Sequence, residues 1–232
     1  MSNWKVVIGG LSTSLAFLTR IPLPSFLFRD HISAASASWA FPVVGVLLGV
    51  LQAVALLLLS LLGAHPIVAA ALVFGGSVLL TGALHEDGLA DVGDSLGGGT
   101  RERKLAIMKD SRLGTFGVMA LILMALIKVT LFYELAKDFH WAHALVILVG
   151  AGVASRALMT AVWVWLPAAS ATGLASEKPE LRAGLIAGGL AVLALACLGF
   201  LNSVLVFSGL VAALIAFAAF AAFGLFARWQ YG

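Results

Sequence analysis

The stretch FPVVGVLLGVLQAVALLLLSLLG, residues 41–63, contains no charged residue and only two polar side chains, Gln52 and Ser60. An α-helix rises about 1.5 Å per residue, so about 20 apolar residues cross the hydrocarbon core of a bilayer. A span is expected near 42–63. Working outward, five more segments meet the same condition, near 66–84, 114–134, 142–166, 183–201 and 203–227. Gly63 and Pro66 mark a short turn after the first. Asn202 and Ser203 mark another, because 183–227 is too long for one helix in one crossing. Of the 232 residues, 62% are hydrophobic and 11% charged, more apolar surface than a water-soluble core can enclose. The expected fold is an all-α integral membrane protein with about six transmembrane helices, residues 1–232 forming a single polytopic membrane domain.

Residues 4–20 follow a different pattern. Trp4, Val7, Ile8, Leu11, Leu15 and Leu18 recur at helical spacing, with Lys5, Ser12, Thr13 and Arg20 mostly opposite. This predicts an N-terminal amphipathic interfacial helix, ended by Pro22 and Pro24. The first apolar stretch is not followed by a small-residue cleavage site, so the N-terminus is expected to be retained. The single cysteine, Cys197, excludes an intrachain disulfide. The net charge of +3 is too small for the broad basic face of a nucleic-acid binder.

With six spans, eleven of the fourteen Lys and Arg residues fall on the face that carries both termini. Lys137 alone falls on the other. By the positive-inside bias, both termini and the 85–113 loop face the cytoplasm. That loop holds six of the eleven acidic residues and five of the basic ones. Within LHEDGLADVGDSLGGG, residues 84–99, Asp87, Asp91 and Asp94 stand at i, i+4 and i+7. If the second span continues as a helix past Leu84, the three share a face. Carboxylates so close repel one another, and a divalent cation relieves the repulsion. Oxygen ligands of this kind suit Mg²⁺ or Mn²⁺, with water and substrate phosphate completing the shell. Glu86 points elsewhere on such a helix and is the weaker metal ligand. His85 is placed to exchange a proton or to cap the helix.

Downstream, Gly97, Gly98 and Gly99 let backbone amides approach an anion. Thr100 caps a short helix bearing Arg101, Arg103 and Lys104. Lys109-Asp110-Ser111-Arg112 then precedes the third span. Basic residues at cytoplasmic span ends orient membrane proteins whatever their chemistry. Beside acidic metal ligands they also form the equipment for phosphoryl transfer from a pyrophosphate-linked donor. Substrate binding is expected from Arg101, Lys109, Ser111 and Arg112. Arg156 is added because a charge inside an apolar segment commonly faces a polar cavity or a partner.

TGALHEDGLADVGDSLGGG at 81–99, followed by IMKDSRLGTFG at 107–117, is similar to the signature of the cobalamin synthase family, the adenosylcobinamide-GDP ribazoletransferases. AFLTRIPLP at 16–24 and FPVVGVLLG at 41–49 agree with it. The resemblance implies a multi-pass enzyme of the prokaryotic cytoplasmic (inner) membrane. It would join GDP-activated adenosylcobinamide to α-ribazole or its 5′-phosphate and release GMP, with Mg²⁺ as cofactor, late in vitamin B12 biosynthesis. It implies catalytic roles for Asp87, Asp91 and Asp94 with His85 ahead of them, and for the segment Lys109 to Arg112. A homo-oligomer or a B12-assembly complex fits such an enzyme. Two departures stand out. The segment LPAASATGLASE, 166–177, keeps Gly173-Leu174 but lacks the arginine of the family's R-x-G-L-G-like stretch. The family's G-G-x-T-G-D-x-L-G-A segment does not follow the last apolar run, where this chain reads RWQYG.

Other classes remain open at this stage. A CDP-alcohol phosphotransferase uses a D-G-x-x-A-R motif, but here Asp91 stands where the arginine would follow Ala90. A divalent-cation transporter would hold its acids near mid-membrane on broken helices. A non-enzymatic scaffold would need no clustered ligands.

Overall fold

The computed structural model describes residues 3–28, 32–168, 176–201, 222 and 224–228. Among the described residues the secondary structure is helical throughout. In order along the described residues up to Leu201 come α1 Asn3–Leu18, α2 Ala34–Ala37, α3 Phe41–Leu61, α4 Pro66–Thr81, α5 Leu84–Ser95, α6 Arg101–Ile107, α7 Thr115–Lys137, α8 Trp141–Trp165 and α9 Leu181–Leu201. Ala34–Leu61, Thr115–Lys137 and Trp141–Trp165 are each long and apolar enough to cross a bilayer. Helices α4 and α5 pass that test only when taken together, and they are bent by 89° at the break between them. The expected span at 183–201 is realised as α9, a helix of 21 residues over Leu181–Leu201. Most of the expected span at 203–227 lies outside the described residues.

The chain packs as two compact units, one from Met1–Val50 and Leu145–Trp229, the other centred on Leu51–Ala144. In the first, α1 lies on the segment that contains α2. The packed side of α1 is its small and hydroxyl side. Gly9, Gly10, Ser12, Ser14, Leu18 and Thr19 are buried, whereas Trp4, Val7 and Ile8 are exposed. The Ser14 hydroxyl donates to the Ala37 carbonyl at 2.7 Å, and the Ser12 hydroxyl to the Leu27 carbonyl at 3.1 Å. Ser12, expected opposite the apolar stripe, is thus turned into the protein together with Leu18 of that stripe, while Trp4, Val7 and Ile8 at its start are left outward. Packing through small residues and hydroxyls suits lipid, where bringing apolar groups together gives little gain.

The same logic sets the α3–α8 crossing. Gly45 and Gly49 are four apart on α3. A Cβ on Gly45 would fall on the Gly152 carbonyl, and one on Gly49 would come within 2.6 Å of the Leu148 carbonyl oxygen. Val149, Val153 and Ala191 form the adjoining apolar core, with Val46 and Ala157 against it. Phe17, Phe41 and Trp163 close the other end, Phe17 stacking on Phe41 at 5.6 Å between ring centres. The Thr160 hydroxyl donates to the Ser38 carbonyl at 2.9 Å, which satisfies a buried acceptor where the backbone leaves regular helix.

In the second unit, α7 packs along α4 and α5, and α6 packs on α5. Outward-facing leucines and isoleucines such as Leu79, Ile122, Leu126 and Leu131 are exposed, as lipid contact requires.

Candidate functional site

The acidic helix does not continue the second span. Helix α4 ends at Thr81, and Gly82 and Ala83 both take left-handed backbone, φ 64° and 56°. Glycine adopts this conformation freely and alanine at a cost of about 1 kcal/mol. Two such residues in succession turn the chain through 89°, and α5 begins at Leu84. At twelve residues, with four acids, α5 is too short and too polar to span by itself.

All of the acids lie on regular helix, so the expected register holds within α5. Asp87, Asp91 and Asp94 share a face, with Glu86 about a quarter-turn from Asp87 and His85 on the far side. The Asp91 carboxyl is held above its ordinary range, first by partial burial and then by the charges of Asp87 and Asp94. Glu86 is half-buried, and its buried Oε2 has no hydrogen-bond partner among the described residues. The expected convergence of Asp87, Asp91, Asp94 and Glu86 on one ion is not assembled. Among the described residues, no three His, Cys, Asp or Glu side chains form a group able to hold a metal.

Register accounts for Glu86, and Asp94 is engaged elsewhere. Its Oδ2 accepts the Gly114 N–H and its Oδ1 the Gly117 N–H, both at 2.7 Å. These amides belong to the first turn of α7, whose cap residue Gly114 brings no side-chain cap of its own. A carboxylate at this end satisfies orphan donors and complements the helix dipole. A Cβ on either glycine would land on the Asp94 carboxylate. Gly93 extends the close fit, since a Cβ there would lie 3.2 Å from the Phe116 carbonyl oxygen and 3.3 Å from the Ala120 Cβ. Ala90, Gly93 and Gly117 are all buried at this crossing.

Between α5 and α7, Thr100 caps α6 as expected, its side chain accepting the Arg103 N–H at 3.3 Å. Arg101 opens that helix, exposed. Lys109, Ser111 and Arg112 are exposed as well. The Arg112 guanidinium grips Asp110, with Nη2 donating to Oδ2 at 2.6 Å and Nε to Oδ1 at 3.0 Å. Those hydrogen bonds hold the Asp110 carboxyl down at about 2. The geometry orients the guanidinium fork while Nη1 keeps donors for an anion. Arg156 belongs to the other unit, on α8, where its Nη1 donates to the Ser155 hydroxyl at 2.9 Å.

The structure thus joins α5 to the start of α7 through Asp94, with the 109–112 segment leading into that junction. Gly114 and Gly117 were not read as part of the site. Their spacing at the entrance of an apolar helix was the available signal.

The family model for cobalamin-5-phosphate synthase matches residues 10–232. The chain is 43% identical over 176 residues to a protein of Allorhizobium ampelinum named adenosylcobinamide-GDP ribazoletransferase, covering 75% of this chain and 68% of that one. It is 40% identical over 201 residues to proteins of the same name from Brucella ovis and Brucella canis, covering 85% of this chain and 77% of each. No solved structure matches. A family match that runs through the acidic helix, the basic segment and the flanking spans leaves one assignment: the chain belongs to the cobalamin-5-phosphate synthase family.

Proposed function

We propose that the protein transfers the corrinoid phosphate of adenosylcobinamide-GDP to α-ribazole or its 5′-phosphate, releasing GMP in a late step of cobalamin biosynthesis. The observation that carries this reading is the family match over residues 10–232. An acceptor hydroxyl attacks the phosphorus bound to the corrinoid. The bond from that phosphorus to the GMP oxygen breaks, and the hydroxyl proton passes to a base.

The donor set fits Mg²⁺. Asp87 and Asp91 stand one helical turn apart, and Asp91 already carries the electrostatic load of its neighbours. Mg²⁺ commonly takes only one or two carboxylates, with waters and substrate phosphate completing its octahedron. Asp87 and Asp91 would hold the ion, which when bound neutralises charge on the pyrophosphate. Arg112, oriented by Asp110, binds the GMP-side phosphate with Lys109 and Ser111 beside it. Arg101, at the start of α6, serves the same anion. His85 stands across α5 from the acids, and Arg156 lies in the other unit. Neither is given a step.

The same reading places the protein in the prokaryotic cytoplasmic membrane with both termini and α5 on the cytoplasmic side, supported by the eleven-to-one distribution of basic residues. Helix α1, with Trp4, Val7 and Ile8 exposed, suits the interface. A cysteine introduced at position 100 should resist labelling from the periplasmic side of intact cells.

The decisive test is incubation of the purified full chain with adenosylcobinamide-GDP, α-ribazole and Mg²⁺, following GMP. Folded protein that releases none refutes the assignment.

A further inference from the structure

We infer that Asp94 is a positioning residue. By clamping the start of α7, it sets the 109–112 segment against Asp87 and Asp91, and it is not an obligatory ligand of the ion. The inference rests on the transferase reading above.

Three observations carry it. Both Asp94 oxygens are engaged at 2.7 Å by amides of the α7 entrance, and Gly114, the cap residue there, supplies no side-chain cap of its own. The two glycines that donate are those at which a Cβ would strike the carboxylate, so the close approach is built from both sides. The clamp also closes the loop that carries the cations. The chain leaves α5 just after Asp94 and returns at Gly114, two residues past Arg112. Fixing Gly114 to α5 therefore fixes where Arg112 can reach. Asp91 and Asp87 lie about one and two turns upstream on the same helix, and among the described residues neither carboxylate makes a hydrogen bond to α7. Small displacements of a charge clamp are costly to binding and rate, because productive geometry tolerates little error.

The test uses the full-length protein with Asp94→Asn, Asp94→Ala, Gly117→Ala and the double variant Asp94→Asn/Gly117→Ala. Donor KM, kcat and the Mg²⁺ concentration for half-maximal rate are measured for each. Asparagine retains one acceptor and alanine none. Donor KM should rise by about threefold in Asp94→Asn and by about tenfold or more in Asp94→Ala and Gly117→Ala. The Mg²⁺ requirement should stay within about twofold of the parent protein in all of them. The double variant should be no worse than the more impaired single one, because both break the same contact. The Mg²⁺-dependent rise in Tm, read without substrate, should survive in Asp94→Ala and disappear in Asp87→Asn. A Mg²⁺ requirement that rises about tenfold in Asp94→Asn, with loss of the Mg²⁺-dependent Tm rise, overturns the inference in favour of direct ligation. Unchanged donor KM in folded Asp94→Ala overturns it as well. Failure of all the variants to fold overturns it too, assigning Asp94 to stability alone. If the parent protein releases no GMP, the transferase reading fails instead, and the Tm comparison still distinguishes clamp from ligand.

Discussion

Gly45 on α3 and Gly152 on α8 meet backbone to backbone, with no room for a Cβ on either. Gly49 repeats the approach one turn along, against Leu148 and Val149. Close helix contact through small residues four apart is the main source of packing energy where water drives nothing together.

Gly45→Ala should therefore destabilise the protein by about 1–3 kcal/mol, the range for overpacking a close-fitted contact. Gly75→Ala, where the added Cβ meets open space, should be neutral or slightly stabilising. Thermal unfolding of the two variants in the same detergent separates them. Equal Tm values would mean that the α3–α8 contact yields without cost.

The α4–α5 turn has its own test at Ala83, a non-glycine residue at φ 56°. Ala83→Gly relieves the left-handed strain but loosens the unfolded chain, so stability should change by less than about 1 kcal/mol. Ala83→Val places a β-branched side chain in that conformation and should cost about 1–2 kcal/mol more than Ala83→Gly. Activity should fall with Ala83→Val even at temperatures where it remains folded, because the turn aims the acidic face.

Asp87→Asn and Asp91→Asn preserve size and remove ligand charge. Each should lower turnover on the order of a hundredfold, with Tm near that of the parent protein. Near-normal Mg²⁺-dependent turnover in both would reduce the acids to a solvated edge.

Protons and the cation compete at Asp91. Its folded-state pKa lies above 3.8, so the metal-free folded form binds this proton more readily than the unfolded chain. On that account the contribution of Asp91 to folding falls as pH rises through its raised pKa, and a bound cation reverses the penalty. The gain in Tm from added Mg²⁺ should be full well above that pKa and shrink as pH falls through it towards 3.8. A gain independent of pH across that window would show that Asp91 is not at the cation.

Arg112→Lys keeps the charge and loses the fork that Asp110 orients. Donor KM should rise about tenfold with a smaller change in kcat. Asp110→Asn should move KM in the same direction, because the guanidinium then loses its anchor.

Much of this was legible in the chain itself. The apolar runs gave α3, α7 and α8 nearly to the residue, because a bilayer imposes length and composition together. The spacing of Asp87, Asp91 and Asp94 gave their common face, because α5 is regular helix. The break at Gly82-Ala83 was not legible, since alanine carries no signal for left-handed backbone and Gly82 alone reads as an ordinary helical glycine. The partner of Asp94 lies twenty residues away, and local spacing cannot report a bond across a loop. Ser12 and Leu18 were read on opposite sides of α1, yet both are buried, because the helix packs on the protein through its small and hydroxyl residues as well.

The right-angle break after α4 has a further consequence. With α4 along the membrane normal, α5 runs in the plane of the membrane for about 18 Å, and Asp87, Asp91 and Asp94 all lie at one depth. An amphiphilic corrinoid held at the bilayer surface then meets the whole acidic row by lateral diffusion alone. Its search is reduced from three dimensions to two, and its encounter rate is governed by the area of membrane it explores instead of the volume of the cell.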